Sequence, residues 1–446
     1  MKYNRLLLFL LMPLCLPAQD SLTLSEAVQR ALGHHPSLEA ATARVHAAEA
    51  SIAQARSGWM PHAVYSESFE SGNNPVYVFG ALLTQHQFTA ANFDLTPLNR
   101  PGALNNFQSQ LTIDQKVYDF GATRSAARAA ELGRKMTEAE RHRAELGVMA
   151  GVARAYHGVT LAEQGLRLAE EALKSAQADL DRAAKLRSAG LATDSDVLSV
   201  QVHLSAMAEQ RASRAAELTV SRAALNDAIG APLDEHHTLS TPLEAPKPPA
   251  GDTGELERRA VAARPEVAGA KLASDLASTQ ISGARSQYFP TIGLHGVLEA
   301  DRQDFASKGG ANWMFAASAR WTLFDGNGTR AAVAEARHKK EAADATARQV
   351  DSAVRLEVRQ SIATLDASRE RAAATEASVA QAEESMRIIR NRYANGLATV
   401  TDLLRGETAL VEAQTRRLAA LYDLRVAAVQ LEASTGTLKG DSDVLK

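Results

Sequence analysis

Slid against itself, the 446-residue sequence matches at two offsets. At 229, Pro36 falls on Pro265, Ile52 on Ile281, Ala55-Arg56-Ser57 on Ala284-Arg285-Ser286, and Pro61 on Pro290. At 206, Asp119 falls on Asp325, Thr123-Arg124 on Thr329-Arg330, Gly190-Leu191-Ala192-Thr193 on Gly396-Leu397-Ala398-Thr399, Asp196 on Asp402, and Gly230 on Gly436. A chain with this pattern is a tandem duplication, so any fold assigned to one half must hold for the other. The difference between the offsets puts about 23 extra residues between Pro61 and Asp119 of the first copy. Between the copies Pro232, Pro242, Pro246, Pro248 and Pro249 deny helix and mark a linker. The expected organisation is a signal at 1–18, a first repeat at 19–230, a Pro-rich linker at 231–253, a second repeat at 254–436 and a tail at 437–446.

The signal rests on Lys2 and Arg5, which precede an apolar run from Leu6 to Leu16 and a small residue, Ala18. The run is too short to span a bilayer as a helix. Cleavage after Ala18 removes Cys15, the only cysteine, and leaves a mature chain without a thiol. Lipidation of Cys15 is the competing reading, but Pro13 and Leu14 are poor residues for that processing site. A net charge of −3 with no long basic run argues against a nucleic-acid partner.

Each copy reads as a helix, two strands and a long helical hairpin. First helices are expected over Ser25–Arg56, with Ser25 as N-cap, and over Gly254–Arg285. From Gly121 to Ala189 there is no proline, and a helix of that length reaches about 100 Å, far beyond the width of a globular domain. Met149, Val152, Tyr156, Val159, Leu166, Leu173, Leu180 and Leu186 recur at the three-, four- and seven-residue spacings of a coiled coil. Gly190 reverses the chain into a helix from Thr193 to Ile229; Gly328–Asn395, the turn at Gly396 and a helix to Thr435 repeat the hairpin.

The strands carry a period of two. Phe107, Leu111, Ile113 and Val117 alternate with Gln108, Gln110, Thr112, Asp114 and Lys116. Trp313, Phe315, Ala317, Ala319, Trp321 and Leu323 alternate with Ser318, Arg320 and Thr322, and weaker versions run through Ala63, Tyr65, Phe69 and through Ile292, Leu294, Leu298. The same alternation fits a half-buried soluble sheet or tilted strands crossing a bilayer, with Trp313 and Trp321 near its interfaces. Four strands cannot close a barrel, and lipid does not tolerate an open edge. Three chains pooling four strands each give twelve, with their hairpins forming a helical tube below.

The Pro61 and Pro290 strand entries, the corners Tyr118-Asp119-Phe120-Gly121 and Phe324-Asp325-Gly326, and the paired Gly-Leu-Ala-Thr tips together resemble the TolC-like outer membrane efflux protein family across essentially the whole mature chain. The resemblance implies a mostly α fold with a small β part. Long coiled-coil hairpins would form an α-barrel, and four strands per chain would enter a trimeric 12-stranded transmembrane β-barrel. The implied protein is a passive channel in the cell outer membrane, extending into the periplasm. Its implied partners are two further copies, outer-membrane lipid, a periplasmic adaptor and an inner-membrane pump of RND or ABC type. The tips Gly190, Leu191, Gly396 and Leu397 would dock the adaptor. For the pore gate the resemblance points to Asp196, Asp402, Tyr393 and Arg405: Tyr393 would bond near Asp196, and Asp402 would ring the constriction. Alternatively, acids in a helix's first turn simply complement its dipole. Ala398 replaces a basic latch residue of some relatives, and Arg405 stands at a second acidic ring position. The segment from Ser71 to Asn106 reads as an enlarged extracellular loop or an inward fold.

His34-His35 and His236-His237 lack carboxylate or cysteine partners at ligand spacing and read as solvated loop histidines, so no metal or cofactor is expected. Absence of a nucleophile elbow or phosphate loop points away from an enzyme. The competing class is a periplasmic coiled-coil adaptor, which needs one hairpin and no paired amphipathic strands.

Overall fold

The computed structural model of the chain describes residues 21–246, 251–306 and 309–446, so the signal segment and Cys15 lie outside the described residues. In chain order the elements are β1 (Ser21–Leu22), α1 (Leu24–His34), α2 (Pro36–Arg56), β2 (His62–Gly72), α3 (Pro75–Thr84), α4 (Leu95–Asn99), β3 (Leu104–Tyr118), α5 (Ala122–Ser188), α6 (Asp194–Ile229), β4 (Thr238–Leu239), α7 (Thr253–Ala263), α8 (Pro265–Ser286), β5 (Thr291–Arg302), β6 (Gly310–Arg320), α9 (Gly328–Ala394) and α10 (Val400–Ser434). The series α1-α2-β2-β3-α5-α6 recurs as α7-α8-β5-β6-α9-α10, and α5 and α9 each run for 67 residues.

The continuous helices expected over Ser25–Arg56 and Gly254–Arg285 are each broken in two. Pro36 and Pro265 push the preceding residues, His35 and Arg264, out of the helical region to ψ 126°. Thr23 rather than Ser25 caps α1: its hydroxyl accepts from the Glu26 amide, and the Glu26 carboxylate accepts from the Thr23 amide.

The described residues divide into two units, 21–41 with 141–267 and 351–446, and 42–140 with 268–350. In the first unit, Leu22, Val28, Met149, Val152, Tyr156, Val159, Leu225, Ile229, Leu424 and Leu431 share one buried core. Further along α5 the fully buried seam is alanine, at Ala162, Ala169, Ala176 and Ala183, while Leu166, Leu173, Leu180 and Leu186 are half-buried beside it. Those alanines recur every seven residues, and Val358, Leu365, Met386 and Tyr393 hold one heptad position along α9, spaced by multiples of seven. The seven-residue period predicts a left-handed supercoil, and alanine in the seam lets helices approach closely.

The second unit holds an antiparallel sheet of order β2-β3-β5-β6. Trp321 and Leu323, expected on the last strand, lie beyond its end at Arg320. Trp321 instead donates its indole N–H to the Tyr288 carbonyl at 3.0 Å. The repeated corners have one construction: Asp119 Oδ2 accepts from the Thr123 amide at 2.8 Å and from its hydroxyl, and Asp325 Oδ2 accepts from Thr329 at 2.7 and 2.6 Å. These bonds start α5 and α9.

Candidate functional site

Residues paired across an antiparallel sheet share a face, so the register sorts the two surfaces rung by rung. Tyr65, Leu111, Leu298 and Trp313 form one rung; the next, Ser66, Gln110, Glu299 and Asn312, faces the opposite way. The apolar surface continues through Phe69 and Phe107, whose ring centroids are 4.7 Å apart, and through Phe315. Trp313 is 78 % exposed, and Tyr65, Phe69, Leu298 and Phe315 are exposed as well. Contiguous apolar area of this kind marks a surface that something must cover. Its polar exceptions satisfy one another: Arg302 donates to Glu67 and to the Ser109 hydroxyl, each at 2.7 Å, and Tyr65 donates to Glu67 at 2.7 Å. The edges of the sheet, β2 and β6, each pair on one side only.

The segment between β2 and β3 folds back over the sheet. Its helix α3 lies on the polar face, where Val78 and Ala81 bury Leu104. Gln85 Nε2 donates at 2.9 Å to both the Asn105 carbonyl and Asn106 Oδ1, and Asn106 Nδ2 donates to Asp301 Oδ1 at 2.7 Å. Asn312 Nδ2 holds the Thr84 carbonyl at 3.0 Å. Gly310 makes the approach possible, because a Cβ there would stand 2.0 Å from the Thr84 oxygen. Sequence reading left this open because nothing in the period-two pattern says which face an insertion will cover.

In the first unit, the two hairpin tips are near copies. Gly190 and Gly396 adopt φ +75° and +72°, and the amides of Leu191 and Leu397 reach back to Leu186 O and Arg392 O at 2.8 Å. Both leucines project into solvent, 76 % and 68 % exposed. Thr193 and Thr399 then cap α6 and α10. Asp196 Oδ2 accepts from the Thr193 amide and hydroxyl at 2.9 Å each, and Asp402 Oδ2 accepts from those of Thr399 at 3.0 and 2.7 Å. The repeated Gly-Leu-Ala-Thr-x-x-Asp string is therefore a left-handed turn followed by a capping box. That box could have been read from Thr followed three residues later by Asp.

These bonds hold the Asp402 carboxyl below its ordinary pKa, the Thr399 amide and hydroxyl contributing most and Arg405 and Arg392 adding to the pull. Asp402, Arg405, Arg392 and Leu397 line one open groove of about 520 Å³. Tyr393 is buried with Val200, Met386 and Leu403. Burial, and then the charges of Asp196 and Asp179, push its phenol above its usual range. The Asp196 carboxylate is bonded to Thr193, and among the described residues no hydrogen bond joins it to the Tyr393 hydroxyl.

Of the histidine pairs, His34 ends α1 and His35 Nδ1 meets the Ser37 hydroxyl at 2.7 Å. His236 is exposed, but His237 is not solvated: its side chain is 8 % exposed, 3.6 Å from Glu235.

The outer membrane efflux protein family matches the chain twice, over residues 27–231 and 256–437. Protein CyaE of Bordetella pertussis is 26 % identical over 425 residues, covering 94 % of this chain and 85 % of that protein. Outer membrane protein OprJ of Pseudomonas aeruginosa is 24 % identical over 349 residues, covering 74 % and 71 %. Among solved structures, the chain superposes on CusC with a TM-score of 0.78 at 19 % identity, covering 94 % of this chain and 92 % of that one. The outer membrane protein VceC of Vibrio cholerae gives 0.75 at 20 % identity, covering 93 % and 96 %. With both halves of the duplication matched and the two-faced sheet joined to paired hairpins, the chain belongs to the outer membrane efflux protein family.

Proposed function

We propose that three copies of this outer-membrane channel protein pool their sheets into a 12-stranded barrel, with the apolar rungs facing lipid and the polar rungs lining a water-filled lumen. The observation that carries this is the sheet itself: one apolar face exposed, one polar face, and two open edges, β2 and β6. An open edge is excluded from lipid, so β2 of one copy must meet β6 of the next. Heptad seams on α5 and α9 suit a helical tube continuing from the barrel into the periplasm.

Efflux and secretion channels of this family work with an adaptor and a pump. The exposed Leu191 and Leu397 at rigid glycine turns are the surfaces we assign to a periplasmic adaptor, with an inner-membrane pump of RND or ABC type supplying the energy. Asp402, Arg405, Tyr393 and Asp196 form the gate in this reading, the acids serving both as caps and as pore charges. A periplasmic adaptor, which needs a single hairpin and no such sheet, is set aside by the family assignment. Planar-bilayer recording of the purified chain tests the proposal. Discrete ohmic steps are expected, and protein that folds in the outer membrane but conducts nothing would refute it.

A further inference from the structure

Away from the tips and the caps, four helices of the first unit converge on one buried carboxylate. Glu407 of α10 is 5 % exposed. Its Oε1 accepts from the Ser175 hydroxyl of α5 at 2.9 Å and from Arg390 of α9 at 3.1 Å, and Oε2 stands 3.2 Å from His203 Nε2 of α6. Arg390 also donates to Ser175 at 2.6 Å. One turn along α5, Asp179 is 3 % exposed, lies beside Glu407 and is 3.8 Å from Arg182. The first hairpin thus supplies Ser175, Asp179, Arg182 and His203, and the second supplies Arg390 and Glu407. No single helix satisfies this cluster; it is complete only while the hairpins lie side by side.

We propose that Glu407 is the tie between the two hairpins of each chain, distinct from the tip gate, and that ionisation of Asp179 beside it loosens the tie. Two carboxyls in contact must share a proton or repel. Glu407 keeps the charge: burial opposes it, but His203, Asp179, Ser175 and Arg390 outweigh burial and hold it down at about 2. Asp179 keeps the proton, pushed up to about 7 by burial and by Glu407, with Arg182 and Arg390 pulling the other way. A folded value above the unfolded one means that the stabilisation is complete below about pH 4 and is lost as pH rises through about 7. A cavity of about 210 Å³ lined by Leu168, Ser175, His203, Met207, Arg390 and Glu407 opens onto the cluster and gives protons and water a route to it. The tie rests on the channel reading only for its consequence, that a loosened pair of hairpins widens the periplasmic end.

The test is a distance. Spin labels at the exposed positions Gln177 of α5 and Thr408 of α10, in the otherwise intact chain, report hairpin separation by pulsed electron resonance. The expected result is a narrow distribution at pH 5.5 that broadens and lengthens at pH 8.5, with a midpoint near 7. Asp179→Asn should stay narrow at both values, and Glu407→Ala should be broad at both. Glu407→Gln keeps the shape and removes the repulsion, so it should lose the pH response. An unchanged wild-type distribution across this range, or a narrow one in Glu407→Ala, overturns the tie. Distances that follow the expected pattern in protein that forms no pore would overturn the channel reading and leave the tie standing.

Discussion

The hydroxyl of Tyr156 donates to the carbonyl of Leu22 at 2.7 Å across 134 positions of sequence. The same oxygen accepts from the amides of Ser240 and Thr241 at 3.1 and 2.9 Å. One phenol on α5 therefore fixes both strands of the parallel β1-β4 pair, in which Leu22 faces Leu239. Tyr156→Phe keeps the ring and strands the Thr241 amide, while the Ser240 amide and the Leu22 carbonyl keep their own 3.2 Å bond, so it should cost roughly 1–3 kcal/mol and lower the denaturant midpoint of the chain. An unchanged midpoint would mean that the ladder holds without it.

His157, the next residue, is fully buried with neither ring nitrogen bonded. Burial first, and then the charge of Arg425, push its pKa down to about 4. The unfolded chain binds the proton near 6.5 and the folded chain does not, so stability should be full above 6.5 and fall as pH drops toward 4, by about 3 kcal/mol in all. Over pH 4 to 7 the contribution of Asp179 runs the other way, so the His157 contribution should appear as the difference in slope between the measured unfolding of the native chain and that of His157→Leu.

Much of this was legible because the duplication states each feature twice. Gly190 and Gly396, Asp119 and Asp325, and the turns they make are set by local backbone geometry, which a short string of residues carries. Pro36 and Pro265 were equally local, and their breaking of the first helices was readable from the proline rule. Long-range placement was not. Nothing near Ser175 or Asp179 in the sequence marks Glu407, 232 positions from Ser175, as their neighbour, and neither buried carboxyl sits in a motif. The alanine seam was missed for another reason: a period search weighted toward leucine passes over alanines that pack closer to the axis.

Gly310 decides whether α3 can rest on the sheet. Gly310→Val should displace Thr84 and Gln85, expose Asn106 and Asp301, and make residues 75–99 a ready protease target while the rest of the chain stays intact. Equal cleavage of variant and native protein would show that α3 is not held by this contact.

The two roles assigned to Asp402 separate by substitution. Asp402→Asn keeps an acceptor for Thr399 and removes the charge, whereas Thr399→Val removes the cap and keeps the charge. If three Asp402 carboxylates focus their field at a narrow end, block by multivalent cations should weaken in Asp402→Asn and persist in Thr399→Val. Tyr393→Phe with Asp196→Ala should raise conductance without altering that block. The reverse pattern in bilayer recordings would make Asp402 a cap alone.

At the tips, Leu191→Asp with Leu397→Asp should abolish export while leaving the channel assembled in the membrane, since both side chains project into solvent. Export at the native rate would move the adaptor's surface elsewhere.

Native mass spectrometry of the chain extracted from outer membranes asks most directly whether open sheet edges are closed by neighbours. With β2 and β6 each unpaired on one side, the result expected is a complex of three chains with no folded monomer in water. A stable, soluble, folded monomer, or a membrane-inserted monomer that conducts, would contradict it.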